Sequence, residues 1–363
     1  MTFRPSRALA GAAALALPFA LLAGCGGDEE DSGATGGAVS AERCSDNEAA
    51  GTITYLTGYH YQASASILEV MAAEDLGYFD DLCLDVEIQP GPGDTSQNAK
   101  LVASGQVQLT GLSQQDVISA NANGLAITGI SSYSNSGLDV LMTGTDVTEL
   151  TQLDGATIGH KGWMPIAVQG MLEKAGVDYG SLKLVKVGYD PTVLTRGQVD
   201  GLTGFVSNEP NQLARAGEEI TVWQPSDLDV PGSLGAFSAN PDFLAEHPTA
   251  AQDFLRASFK AFQYCAEENN VEECIDIQGE YAGAESDPEH ETDVWTTESE
   301  VAAEDPLPVR WGGIDTANVR QLATLITTYA GQQIAPADAV ADFDPSVAEA
   351  VVDESGKVIW PAP

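Results

Sequence analysis

The chain has 363 residues, 54 of them acidic and 15 basic, for a formal net charge of −39. A field of that sign repels nucleic acid and anionic lipid, which excludes an electrostatic nucleic-acid binder. The acidity reads as a solvated surface and leaves any ligand undetermined, while the length allows two lobes with separate cores.

Arg4 and Arg7 precede an apolar run, Ala8 to Leu22, that is too short for a comfortable membrane span and ends in Leu22-Ala23-Gly24-Cys25. That tetrapeptide resembles a bacterial lipobox, in which the leader is cut before the cysteine and the thiol is acylated. The expectation is a signal peptide over 1–24, a lipidated Cys25 and a flexible Gly-, Ser- and acid-rich tether over 25–43. This places the protein on the outer face of the cell membrane, extracytoplasmic and lipid-anchored. The other cysteines, Cys44, Cys83, Cys265 and Cys274, are even in number, as expected for disulfides in an oxidising compartment. Proximity couples Cys265 with Cys274 and Cys44 with Cys83; connectivity stays open.

Further along, Thr52 to Leu56 reads as a strand and Ser64 to Asp75 as a helix stopped by Gly77. Leu84, Val86 and Ile88 alternate as in a half-buried strand. Thr95 or Ser96 caps a helix running to Gly105, Val107 to Leu112 is a strand, and Asp116 to Asn123 a helix. Leu125 to Ile130 and Val140 to Thr143 are strands. A second block repeats the alternation: strand 156–159, helix 165–175, strand 182–187, a helix from Pro191 to Gly197, strand 202–206 and strand 221–223. Gly235 to Ala239 reads as a strand returning to the first block. A long helix after Pro248 carries Phe254, Leu255, Phe259 and Phe262 on one stripe. Glu267 to Glu304 reads as acidic and irregular, Asp315 to Gly331 as a helix, and the last thirty or so residues as a surface wrap.

Alternating strands and helices predict an α/β protein with two lobes. The expected division is 44–148 with 233–363 as lobe 1 and 149–232 as lobe 2. Leu101-Val102-Ala103-Ser104-Gly105-Gln106-Val107 echoes Val193-Leu194-Thr195-Arg196-Gly197-Gln198-Val199, each a helix end, a glycine stop and a strand entry. Both strands run into polar loops, Ser113-Gln114-Gln115-Asp116 and Ser207-Asn208-Glu209-Pro210. Ligands of open α/β sheets bind beyond the carboxyl ends of strands, so two such edges facing each other make a cleft.

Leu76-Gly77-Tyr78-Phe79 followed by Leu84-Asp85-Val86-Glu87, Leu101 to Gly105, Leu153 to Gly159 and Gly197-Gln198-Val199-Asp200-Gly201 together resemble the solute-binding proteins for nitrate, sulfonates, taurine and thiamine-pyrimidine precursors. Ala156 stands where that pattern usually has lysine. The resemblance implies a type II periplasmic-binding-protein fold with two hinge strands, a cleft that closes on ligand, and delivery to an ABC transporter permease. Ser207-Asn208-Glu209-Pro210 is most similar to the pyrimidine-precursor branch. There Tyr59 takes the aromatic place and Gln62 that of an asparagine, while Ala65 replaces the usual histidine.

The expected ligand-binding residues are Tyr59, His60, Tyr61, Gln62, Gln114, Gln115, Trp163, Tyr189, Asp190, Asn208 and Glu209. Aromatic walls and a few directed polar groups suit a flat ring. Glu209 offers a carboxylate to an amino-pyrimidine or a cation, and Lys161 reads as a solvated surface charge. These loops hold no arginine fork for an anion, which favours a small nitrogen heterocycle over nitrate, taurine or an alkanesulfonate. The four histidines, His60, His160, His247 and His290, fit no metal spacing. No Gly-x-Ser-x-Gly elbow, P-loop lysine or Cys-rich motif like that of the pyrimidine-synthesising enzymes is present. The reading is therefore a monomeric binding protein with no cofactor, and not an enzyme.

Overall fold

A computed structural model describes residues 39–304 and 307–363. The leader, Cys25 and most of the tether lie outside the described residues.

Ten strands are formed among them: β1 (Thr52–Leu56), β2 (Asp85–Gln89), β3 (Leu109–Gly111), β4 (Thr128–Gly129), β5 (Asp139–Gly144), β6 (Thr157–His160), β7 (Lys183–Lys186), β8 (Gly201–Phe205), β9 (Ile220–Trp223) and β10 (Phe237–Ala239). The helices are α1 (Ala41–Glu48), α2 (Leu68–Asp75), α3 (Tyr78–Asp81), α4 (Thr95–Ala103), α5 (Gln114–Ala122), α6 (Ile166–Lys174), α7 (Glu209–Arg215), α8 (Pro241–Glu246), α9 (Pro248–Cys265), α10 (Val271–Ala282), α11 (Pro288–Glu304), α12 (Thr316–Tyr329), α13 (Pro336–Val340) and α14 (Ser346–Glu349).

Two five-stranded sheets share one plan. The first runs β2-β1-β3-β10-β4 and the second β7-β6-β8-β5-β9. In each, three parallel strands are followed by one antiparallel strand contributed by the chain as it crosses between lobes: β10 in the first sheet, β5 in the second. The two echoed segments lead into β3 and β8, which hold the same third place in their sheets. Each sheet buries apolar side chains on both faces, as parallel sheets do. Ile53, Tyr55, Phe237 and Phe254 build one core of the first lobe and Leu56, Val117 and Leu322 another. Leu141 and Ile158 pack on one face of the second sheet, Val140 and Leu202 on the other.

The chain crosses between sheets twice, after β4 and after β9, and the crossings pair with each other. Ser134 bridges Leu234 in antiparallel fashion, and Gly232 N–H donates to the Asn135 carbonyl at 2.9 Å. These are the two hinge strands of a two-lobe periplasmic-binding-protein fold. Strand β5, counted by sequence within 44–148, pairs into the second sheet, so the first crossing precedes it.

Five local readings change, the first being that the helix expected from Pro191 to Gly197 forms only a single turn, Pro191–Val193. The tether was expected to run to residue 43, yet α1 begins at Ala41, with Ser40 capping it and Arg43 bonded to buried Asp253 at 2.7 Å. Helix α2 begins at Leu68 rather than Ser64: Ser66 adopts φ +64°, and the Ala63 and Ala65 N–H groups donate to Glu291 and Glu298. The acidic stretch 267–304 is not irregular but forms α10 and α11, whose inward faces carry Cys274, Ile275, Trp295 and Glu298. The last residues do more than wrap the surface, since Val347, Val351, Val352 and Val358 join the first-lobe core. Disulfides join Cys44 to Cys83, tying α1 to the segment before β2, and Cys265 to Cys274, tying α9 to α10.

Candidate functional site

The parallel strands of both sheets deliver their carboxyl ends to loops that hold the expected residues. After β1, Tyr59 is 47% exposed and its ring stands edge-on to His60 at 4.5 Å. Gly93 adopts φ +77°, a conformation that favours glycine, and a β-carbon there would press on the Tyr59 ring at 2.8 Å. Gln62 is half-buried. Tyr61 points elsewhere: it packs on Tyr281 at 5.4 Å, donates to the Ile88 carbonyl, and accepts on its own carbonyl from Gln278. Its role in the structure is to fasten the loop to α10.

After β3, Ser113 caps α5 in a reciprocal box with Asp116. Gln114 is fully buried; its backbone N–H donates to Ser233 at 2.9 Å and its side-chain carbonyl accepts from Asn318 at 3.1 Å. It thus ties α5 to the hinge and to α12. Gln115 is half-buried beside it.

In the second lobe, Trp163 after β6 and Tyr189 after β7 are 78% and 81% exposed. Asp190 caps the following turn through Thr192 N–H and pairs with Arg196. Glu209 is the first residue of α7 and fully buried. Its carboxylate accepts from Phe205 N–H at 2.8 Å and from the Asn208 amide at 3.1 Å, and it pairs with Lys161. Lys161 is therefore no free surface charge: it bridges the loops after β6 and β8, lies 5.6 Å from the Tyr189 ring, and burial pulls its ammonium down to about 8. Sequence spacing gives no hint of a pair 48 residues apart, although Asn-Glu-Pro is a helix-start signature that would have placed Glu209 in a first turn.

The residues missed by sequence reasoning come from α11. Glu298, 1% exposed, accepts from Ser64 Oγ at 2.7 Å, Ala65 N–H at 2.8 Å and Ser207 Oγ at 2.8 Å. The first two donors follow β1 and the third follows β8, so the two polar edges meet on one carboxylate. Glu291 adds an acceptor for Ala63 N–H at 2.6 Å. Hollows of about 600 Å³ beside Trp311 and about 560 Å³ between α6 and α12 lie apart from these loops; neither is lined by an expected ligand residue. Among the described residues no group of acidic, His or Cys side chains is arranged to hold a metal.

Two sheets of matching order, joined by paired crossings, define a periplasmic-binding-protein fold. The profile described as "NMT1/THI5 like" matches residues 64–270, more than half of the chain, and the protein belongs to that family. A formylaminopyrimidine-binding protein of Halalkalibacterium halodurans is 29% identical over 64% of this chain and 71% of its own. The 4-amino-5-hydroxymethyl-2-methylpyrimidine phosphate synthase of Schizosaccharomyces pombe is 25% identical over 58% of this chain, and the match spans 64% of that enzyme. Among solved structures, the periplasmic sulfonate-binding protein SsuA of Methylobacillus flagellatus superposes with a TM-score of 0.61 at 16% identity, covering 82% of this chain and 92% of that one. At that identity the likeness establishes the fold.

These relatives correct one expectation. The leader, the lipobox and the absence of a Cys-rich motif set a pyrimidine-synthesising enzyme aside as the less favoured alternative, yet fungal synthases match across more than half of the chain. The family holds catalysts as well as binders, and the exclusion of an enzyme does not stand.

Proposed function

We propose that this chain is the extracytoplasmic solute-binding component of an ABC importer. It takes a small nitrogen heterocycle, a thiamine pyrimidine precursor or a related ring, between its lobes and hands it to the permease. One observation carries the reading. Four large aromatic side chains stand exposed among the described residues, Tyr59, Trp163, Tyr189 and Phe205. All four lie at or just beyond the carboxyl ends of parallel strands, β1, β6, β7 and β8. Full burial of such a ring is worth roughly 1.5–3 kcal/mol; Trp163 and Tyr189 forgo most of it and the half-exposed Tyr59 and Phe205 about half, and apolar surface left open at strand ends suits a binding surface. Flat rings stacked between aromatic walls recover that burial. The pyrimidine-binding relative supports the ligand class, and the two disulfides support an oxidising, extracytoplasmic setting. A lipid anchor at Cys25 belongs to the same proposal.

The test is a thermal-shift and Trp-fluorescence titration with 4-amino-5-hydroxymethyl-2-methylpyrimidine, taurine and nitrate. Stabilisation by the pyrimidine, with quenching lost in W163A, is expected. Stabilisation by taurine or nitrate alone would overturn the ligand class.

A further inference from the structure

Helix α11 lies beyond the family match at 64–270, yet it touches both polar edges. We propose that Glu298 is a clasp that holds the loop after β1 against the loop after β8 in the closed arrangement of the lobes, and so acts as a positioning residue for the ligand. This rests on the reading that ligand binds between the lobes.

The donors to Glu298 come from opposite sides of the hinge. Ser64 and Ala65 belong to the first lobe, in the same loop as Tyr59 and Gln62; Ser207 belongs to the second, two residues before Glu209. Carboxylate acceptors make short, strong hydrogen bonds, and removing one donor from a buried carboxylate leaves part of its desolvation unrepaid. Opening the lobes separates Ser207 from Glu298, so this bond is made only when they are closed and favours that state by its net strength over the water that replaces it. A margin of further contacts joins α11 to α7 around it. Asn211 donates to Thr297 Oγ1 at 3.1 Å and to the Asp293 carbonyl at 3.4 Å, and Arg215 lies 3.4 Å from the Asp293 carboxylate. These partners are exposed or half-buried, whereas Glu298 is sealed, which makes it the member of the interface most sensitive to separation. Burial pushes its carboxyl upward while the Ser64, Ala65 and Ser207 donors hold it down.

The experiment uses the full chain and its S207A and E298Q variants. A pair of probes, one on each lobe, reports their separation without ligand; stopped-flow fluorescence with 4-amino-5-hydroxymethyl-2-methylpyrimidine gives the rate constants. S207A removes only the cross-hinge bond and leaves Glu298 bonded to the first lobe, so it keeps the proposal testable if E298Q folds poorly. The expected result is wider lobe separation in S207A, dissociation faster by about tenfold or more, and association within about twofold of the parent. The double variant should add little to either single change. Unchanged separation and dissociation in S207A would overturn the clasp, even with ligand bound normally. A parent that binds no pyrimidine, while S207A still opens, would overturn the ligand reading and uphold the clasp.

Discussion

Gly232 faces Gly137 where the two crossings pass: a β-carbon on Gly232 would lie 2.3 Å from the Gly137 nitrogen. The obstacle is backbone and cannot swing aside as a side chain would. G232A should therefore force the crossings apart and destabilise the protein by about 1–3 kcal/mol. A urea denaturation midpoint equal to that of the parent would show that the crossings have slack.

The Lys161–Glu209 pair predicts unequal single-variant effects. K161M leaves the fully buried Glu209 carboxylate without its cation, at a cost of about 3 kcal/mol. E209Q keeps an acceptor for Phe205 N–H and removes the charge, so it should cost less. The double variant should be more stable than the sum of the two predicts. Additive losses in denaturant titrations would mean that the pair is not coupled.

Buried carboxyls make the fold more stable in mild acid. Burial raises Glu69 to about 7, and burial together with nearby Asp116 raises Asp139 to about 7. Folded values above the unfolded range of about 4 mean that their contribution is complete below that range and is lost as pH rises through about 7. Glu69 alone accounts for a change on the order of 3 kcal/mol. The urea midpoint should therefore be higher at pH 5 than at pH 8. E69Q, which keeps an acceptor for Ser66 N–H and the Tyr133 hydroxyl, should narrow the gap. A midpoint that rises with pH would refute this.

The disulfides close loops of different length, spanning 39 and 9 residues. Chain-entropy reasoning assigns about 4 kcal/mol to Cys44–Cys83 and about 3 kcal/mol to Cys265–Cys274. Serine replacement of each pair, followed by denaturation, should show the larger loss for the first pair.

The fold was legible where side chains alternate or repeat on one face. Strand β1 has the expected ends, Thr52 and Leu56, and α9 follows its Phe254, Phe259 and Phe262 stripe. Helix α11 was not legible because its inward face itself carries carboxylates: Glu291 and Glu298 are buried beside Val294 and Trp295, so hydrophobic periodicity fails there. The loops at the strand ends were placed by sequence, and the exposure of Tyr59, Trp163 and Tyr189 follows from that placement. What those loops touch was not readable. Tyr61 turns to Tyr281 and Glu209 to Lys161, partners brought in by the fold, while Asp190 turns to Arg196 within its own local turn.

Helix α12 sits in two cores at once. Val319, Leu322 and Ile326 pack with the first lobe, while Leu325 packs with the second, close to Gly170 of α6. Neither half can melt without stripping one side of this shared rod. Heating should therefore give a single endotherm, and a protease that cuts α12 should loosen both halves together.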